Sequence, residues 1–233
     1  MTEFAMMLRQ LSAAQKPAKG VSLYTRFVNR PAGRVLAALA HGVGATPNQL
    51  TVLSALFTFP ALAAVALLPP GPGMAAGVGA ALVVGFALDS ADGQLARGQR
   101  SGSPSGEWLD HVLDCVKIVT LHLVVLVSFH RFFDLPDPAF QLAPMVFQLA
   151  AVVIFFAGIL TEKLKVRTPG EVPAGSPPAL RSVLLLPVDY GLTCISFLLL
   201  GSQQVFLTVY CALLLAHVVF MAAFLVKWFR ELR

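Results

Sequence analysis

The sequence predicts an all-α integral membrane protein: six transmembrane helices with an N-terminal amphipathic interfacial helix. Three observations lead there. Of the 233 residues, 57% are hydrophobic and 12% charged, too apolar a balance for a soluble globular chain. The apolar residues fall into six runs, each able to cross about 30 Å of hydrocarbon at ~1.5 Å per residue. Lys and Arg gather at alternate ends of those runs, so the net charge of +5 reports membrane topology and not a nucleic-acid surface.

Taken in order, the first fifteen residues carry an acid before any base and lack a continuous apolar stretch, which argues against a cleaved signal peptide. Residues 20–43 place Leu23, Phe27, Val28, Val35 and Leu36 among Arg26, Arg30 and Arg34. That pattern suits an amphipathic helix lying in the interface and bending at Pro31, or else a helical hairpin packed on the protein. Thr46 is a good N-cap and Pro47 a good first helical residue, so the first span starts there. The spans are expected near 48–69, 74–97, 106–130, 140–162, 180–200 and 203–228, which divides the chain into an N-terminal segment, 1–47, and a six-helix transmembrane domain, 48–233. Pro- and Gly-rich turns separate the first two spans, and GSQQ the last two. Six Lys or Arg precede the first span, Arg97 and Arg100 follow the second, and Lys163, Lys165, Arg167 and Arg181 sit between the fourth and fifth. The opposite loops contain only Arg131, so both termini are expected on the cytosolic side.

Cys115, Cys194 and Cys211 lie inside apolar runs without CxxC spacing and read as small buried hydrophobes. His122, His130 and His217 lack metal-ligand spacing.

The chemistry concentrates in residues 89–114, DSADGQLARGQRSGSPSGEWLDHVLD. A carboxylate inside a span costs about 2.5–3.5 kcal/mol, and this stretch carries Asp89, Asp92, Asp110 and Asp114. Asp89 and Asp92 are spaced i, i+3, and Asp110 and Asp114 i, i+4, so each pair lies on one helix face. The Gly/Ser/Pro-rich linker between them reads as a tight turn, which aims all four into one pocket. Oxygen-only donors favour a hard cation, Mg²⁺ or Mn²⁺. Gly93 and Ala96 leave room for close approach, and Arg97 can fork onto a phosphate or an aspartate.

The run Asp89-x2-Asp92-Gly93-x2-Ala96-Arg97-x8-Gly106-x3-Asp110-x3-Asp114 resembles the signature of the CDP-alcohol phosphotransferase (CDP-alcohol phosphatidyltransferase) family. The resemblance implies a six-helix catalytic domain that cuts the pyrophosphate of a CDP-linked donor and transfers the phosphoryl-alcohol group to an alcohol acceptor, releasing CMP. It makes Asp89, Asp92 and Asp110 metal ligands and Asp114 the general base, with a second role as ligand. It puts Gly93, Ala96 and Arg97 on the nucleotide side, with Thr46 and Asn48 as further candidate nucleotide binders; simple helix capping explains Thr46 equally well. It further implies Mg²⁺ or Mn²⁺ as cofactor, membrane lipids as surroundings, a homodimer, and a site facing the cytosol of a bacterial cell membrane.

The donor expected is CDP-diacylglycerol and the acceptor a polar alcohol such as a phosphorylated polyol, in phospholipid biosynthesis. The alternative is a soluble CDP-alcohol donor with a lipid or inositol-phosphate acceptor. Candidate acceptor residues are Arg181, Asp189, Lys163 and Lys117. Lys117, one turn beyond Asp114, has a second reading as that residue's ion-pair partner. The resemblance implies more than one Arg at the start of the fifth span in members that use inositol phosphate, so Arg181 alone, followed by Asp189, weighs against that acceptor. A divalent-cation transporter is a competing class; it accounts for the acids but not for Gly93, Ala96 and Arg97, nor for acids at helix ends instead of the midplane.

Overall fold

The structure is a computed structural model, and it describes residues 3–15, 20–165 and 179–233. Among the described residues it is all helical. Five helices are long and apolar enough to cross a membrane, the build of an integral membrane protein. They are α3 (Pro47–Leu67), α4 (Pro72–Gln99), α5 (Pro104–Phe132), α6 (Ala143–Leu164, entered through a 3₁₀ turn at Pro138–Leu142) and α9 (Gln203–Glu231). Helices α3, α4, α5 and α9 begin within two residues of their expected starts, and α6 begins three residues after its own, behind the 3₁₀ turn. The cause is local: Thr46 caps α3, Ser103 caps α5, and Pro occupies the first turn of α3, α4 and α5.

The expected continuous span at 180–200 is broken. It consists of α7 (Ala179–Leu184), a 3₁₀ turn at Leu186–Val188, α8 (Tyr190–Ser196) and a further 3₁₀ turn at Phe197–Leu199. Pro187 lacks the N–H that a continuous helix needs, and Asp189 restarts the chain as the N-cap of α8. Helix α6 ends and α9 begins at opposite ends of the bundle. Lys163, at the end of α6, pairs with Glu107 in the first turn of α5. Gln203, at the start of α9, donates to the Phe132 carbonyl at the far end of α5 (2.8 Å).

The N-terminal segment holds α1 (Glu3–Ala13), a π turn (Thr25–Asn29) and α2 (Arg30–Gly42). Helix α1 was not apparent from hydropathy. Its Met7 and Leu11 seat on α4 where Gly98 leaves no side chain in the way. The π turn leads into Pro31 in the first turn of α2, the place where a regular helix would lose a hydrogen bond. Helix α2 buries Gly33, Ala37, Ala38 and Ala40, with Gly33 close against Ser90 and Gln94 of α4, while Val35 and Leu39 stay exposed.

Helix α4 is the hub, meeting α1, α2, α3 and α8. Helices α3, α4 and α5 bury 39–44% of their apolar windows, against 17% for α6 and α9, so the first three form the inner bundle. One end of the interior is aromatic: Phe129, Phe147, Phe197, Phe206 and Tyr210 are fully buried, and the Tyr210 hydroxyl shares a hydrogen bond with His122 Nδ1 (2.7 Å). The other end holds the acids.

Candidate active site

Helix α4 ends in a reversal through Arg100, whose φ of +53° lies in the left-handed region. The chain then enters α5 within a few residues, and the two helices, each packed on α3, face their acids toward one another. Asp89, Asp92 and Asp110 converge: one ligand oxygen from each lies within 4.8 Å of the others. Asp110, His111 and Asp114 form a second group by the same measure, and His111 also lies 3.7 Å from Glu107.

Two partners fix the acids. Lys117, one turn beyond Asp114, reaches back so that its ammonium donates to Asp89 and to Asp114 Oδ1 (3.2 Å to the latter). The Lys117 side chain is only 4% exposed, so its charge is matched inside the protein, as a buried ammonium requires. Asp92 is held on both oxygens, Oδ2 by the Thr51 hydroxyl of α3 (2.5 Å) and Oδ1 by the Gly93 amide.

Arg97 lies across the convergent trio from Lys117. Its Nε donates to the Ala14 carbonyl behind α1 (3.2 Å), and its guanidinium sits within electrostatic range of Asp92 and Asp110. A Cβ on Gly93 would come 3.2 Å from Arg97 Nη1, and one on Gly106 would come 3.1 Å from Asn48 Oδ1. Both glycines therefore leave room for those side chains. Ala96 occupies the turn between Gly93 and Arg100, and its carbonyl accepts from the Ser101 amide. Thr46 serves as N-cap in a reciprocal capping box with Gln49, so its hydroxyl is engaged by its own helix.

Beside Asp89 and Asp114 opens a cavity of about 140 Å³ lined by Thr58, Phe86, Asp89, Asp114, Lys117, Ile118, Phe155 and Tyr190. Of the expected acceptor residues it includes Lys117 alone. Lys163 is exposed and paired with Glu107. Asp189 is buried away from the cavity's polar face, where it accepts from Ser22, from Thr25 (2.5 Å) and from the Gly191 amide (2.7 Å). Arg181 belongs to α7, but its side chain, like Arg167, lies outside the described residues.

Sequence reasoning passed over Thr51 and Tyr190. A signal existed for the first: Thr51, Ser54 and Thr58 recur at i, i+3, i+7 on the otherwise apolar α3, and all three are buried. Ser54 donates to the Gly85 carbonyl of α4 (2.8 Å), so this hydroxyl stripe is the seam joining α3 to the acid-bearing helix. Nothing in the sequence placed Tyr190 beside α4 and α5.

The donor set fits a divalent metal. Three carboxylates at this separation repel one another, the single ammonium of Lys117 offsets only part of their charge, and every donor is a hard oxygen.

Comparison with known proteins agrees with this geometry. No curated protein matches the chain in sequence. Among solved structures, it is similar to Mycobacterium tuberculosis phosphatidylinositol phosphate synthase (PgsA1), crystallised with CDP-DAG bound. The identity is 20%, the TM-score 0.55, and the match covers 86% of this chain and 93% of that one. That likeness establishes a shared fold. Residues 44–222 match the sequence profile of the CDP-alcohol phosphatidyltransferases. The match takes in both acid pairs, Arg97 and most of the helical bundle, so the chain belongs to the CDP-alcohol phosphatidyltransferase family and is a transferase of substituted phosphate groups.

Proposed function

We propose that the protein transfers a phosphatidyl group from CDP-diacylglycerol to the hydroxyl of a polar alcohol, releasing CMP. The observation that carries this reading is the convergence of Asp89, Asp92 and Asp110 within 4.8 Å, with Asp114 beside an adjoining cavity. The structural neighbour with CDP-DAG bound supports the choice of donor.

Asp89, Asp92 and Asp110 would hold Mg²⁺ or Mn²⁺, which supplies charge neutralisation for the donor's pyrophosphate. The chain's own groups account for the remaining steps. Arg97 and the bare backbone at Gly93 receive the nucleotide's phosphates, with Ala96 and Asn48 flanking them. Asp114 takes the proton of the acceptor hydroxyl. The freed oxygen bonds to the phosphorus distal to cytidine, the bond from that phosphorus to the CMP oxygen breaks, and CMP leaves with the electron pair. Lys117 holds Asp89 and Asp114 in register, so ligand and base keep a fixed relation. Thr46 contributes by shaping the start of α3.

Six crossings are supported by the path of residues 165–203, which begins at the acid end of α5 and returns at its aromatic end. The broken α7–α8 stretch then serves as the fifth. Basic residues cluster at the acid end, which supports a cytosolic site. Exposed Phe27, Val28, Val35 and Leu39 support an interfacial position for α2.

The test is direct. Purified protein in detergent receives CDP-diacylglycerol, a panel of alcohols including glycerol 3-phosphate and inositol 1-phosphate, and Mg²⁺ or Mn²⁺. CMP release accompanied by a phosphatidyl product in the mass spectrum is expected. Transfer from a soluble CDP-alcohol alone would replace this reading with the alternative donor.

A further inference from the structure

Tyr190 combines three features found together nowhere else among the described residues. It lines the cavity beside Asp89 and Asp114. Its hydroxyl oxygen is buried and makes no hydrogen bond to an oxygen or nitrogen, although it lies within electrostatic range of both those carboxylates. Its ring is fixed, because Phe86 meets it edge-on with centroids 5.1 Å apart and Asp189 caps the helix that starts at Tyr190. The Cys194 thiol, one turn on, is a polar neighbour but a weak acceptor.

A phenol left without a partner inside a protein costs about 1–3 kcal/mol. Such an oxygen beside reacting groups marks a place that a ligand's polar atom fills. The acceptor is the substrate that must enter this cavity. Its hydroxyl has to reach Asp114, which lines the cavity, while Arg97 and Gly93 on the nucleotide side do not. Of the other walls, Phe86, Ile118 and Phe155 cannot orient a hydroxyl, Lys117 is engaged by Asp89 and Asp114, and Thr58 lies in the seam where α3 meets Gly85 of α4.

We propose that the Tyr190 hydroxyl hydrogen-bonds the acceptor alcohol and aligns its attacking oxygen between Asp114 and the donor's phosphorus. This rests on the transfer reading above and on Asp114 as base. Tyr190 is then a substrate-contacting residue on the acceptor side, and Asp189 positions it: the carboxylate that ties Ser22 and Thr25 to α8 also sets the register of the residue that follows it.

Tyr190→Phe removes one oxygen and keeps the ring against Phe86. Steady-state kinetics are measured with CDP-diacylglycerol and with glycerol 3-phosphate or inositol 1-phosphate as acceptor, alongside thermal unfolding in the same detergent. The acceptor KM is expected to rise roughly tenfold with the donor KM unchanged. The unfolding midpoint should stay equal to or above wild type, since an orphaned buried hydroxyl has been removed. Unchanged acceptor kinetics in the variant, with an active wild type, overturns the role of Tyr190 alone. A lowered midpoint with equal losses for both substrates would make the tyrosine structural and also overturn it. A wild type that turns over neither acceptor overturns the transfer reading, and this inference with it.

Discussion

The two ends of the helical bundle spend their burial on opposite things. At one end Phe129, Phe197, Phe206 and Tyr210 pack ring on ring, with centroids 5.5–6.3 Å apart, and the Tyr210 hydroxyl is closed off by its hydrogen bond with His122. At the other end the same helix α5, joined by α4, gathers four buried or half-buried carboxylates, two of them joined by the Lys117 ammonium. Aromatic packing is self-sufficient, because each ring finds its partner within the fold. The acid end is incomplete by construction: its carboxylates outnumber the cation that joins them, so its balance is left to what binds there. A shared scaffold helix thus has a stabilising half and a reactive half.

The largest expected effect breaks the reactive half alone. Stripping divalent cations with chelator should abolish CMP release while leaving helix content by circular dichroism unchanged. Full turnover after metal-free preparation would remove the metal from the mechanism.

Next in size are Asp114 and Asp89, to which the proposed mechanism gives different roles. Asp114→Asn should lower kcat by ~10²–10⁴, the usual cost of a lost general base, with CDP binding near wild type. Asp89→Asn should weaken metal and CDP binding together, as calorimetric titration would report. Equal weakening of CDP binding in both variants would make Asp114 chiefly a ligand.

The third comparison sets one end against the other. Phe206→Ala should cost about 3 kcal/mol or more of stability, because it opens a cavity among four rings. Lys117→Met should cost a similar amount, about 3–5 kcal/mol, by leaving buried carboxylates uncompensated. Added Mn²⁺ separates them in a thermal melt: it should recover much of the Lys117→Met loss and none beyond the wild-type shift for Phe206→Ala. Equal recovery in both would show that the ion does not neutralise the acids Lys117 serves.

Arg181→Ala should have the smallest effect, raising the acceptor KM by about tenfold or less while the donor KM holds. An unchanged acceptor KM would leave this arginine to topology.

Much of this molecule was legible without coordinates, and the reason differs by feature. Five span boundaries could be read because caps, prolines and hydropathy act within a few residues. The acid pairs could be read because i, i+3 and i, i+4 spacing forces each onto one helix face, and because the turn between them is too short to allow anything but antiparallel neighbours. Arg97 and Gly93 came with the same stretch. The break at Pro187 was visible in hindsight, yet hydropathy averages over a proline and reports one apolar run.

Tertiary structure alone decided the rest, since it depends on which distant segments meet. Lys117 could be an acceptor contact or an ion-pair partner, and only the approach of α4 to α5 put its ammonium on Asp89 as well as Asp114. Asp189 looked like a solitary acid in an apolar run; Ser22 and Thr25, more than 160 residues away, turn it into a latch. Tyr190 had no local sign of function, because an aromatic in a membrane helix is ordinarily core. The packing of α8 on α4 placed its hydroxyl in the cavity beside Asp89 and Asp114. Short-range spacing determines which chemistry the chain carries, and long-range packing, which no local pattern encodes, determines which groups face it.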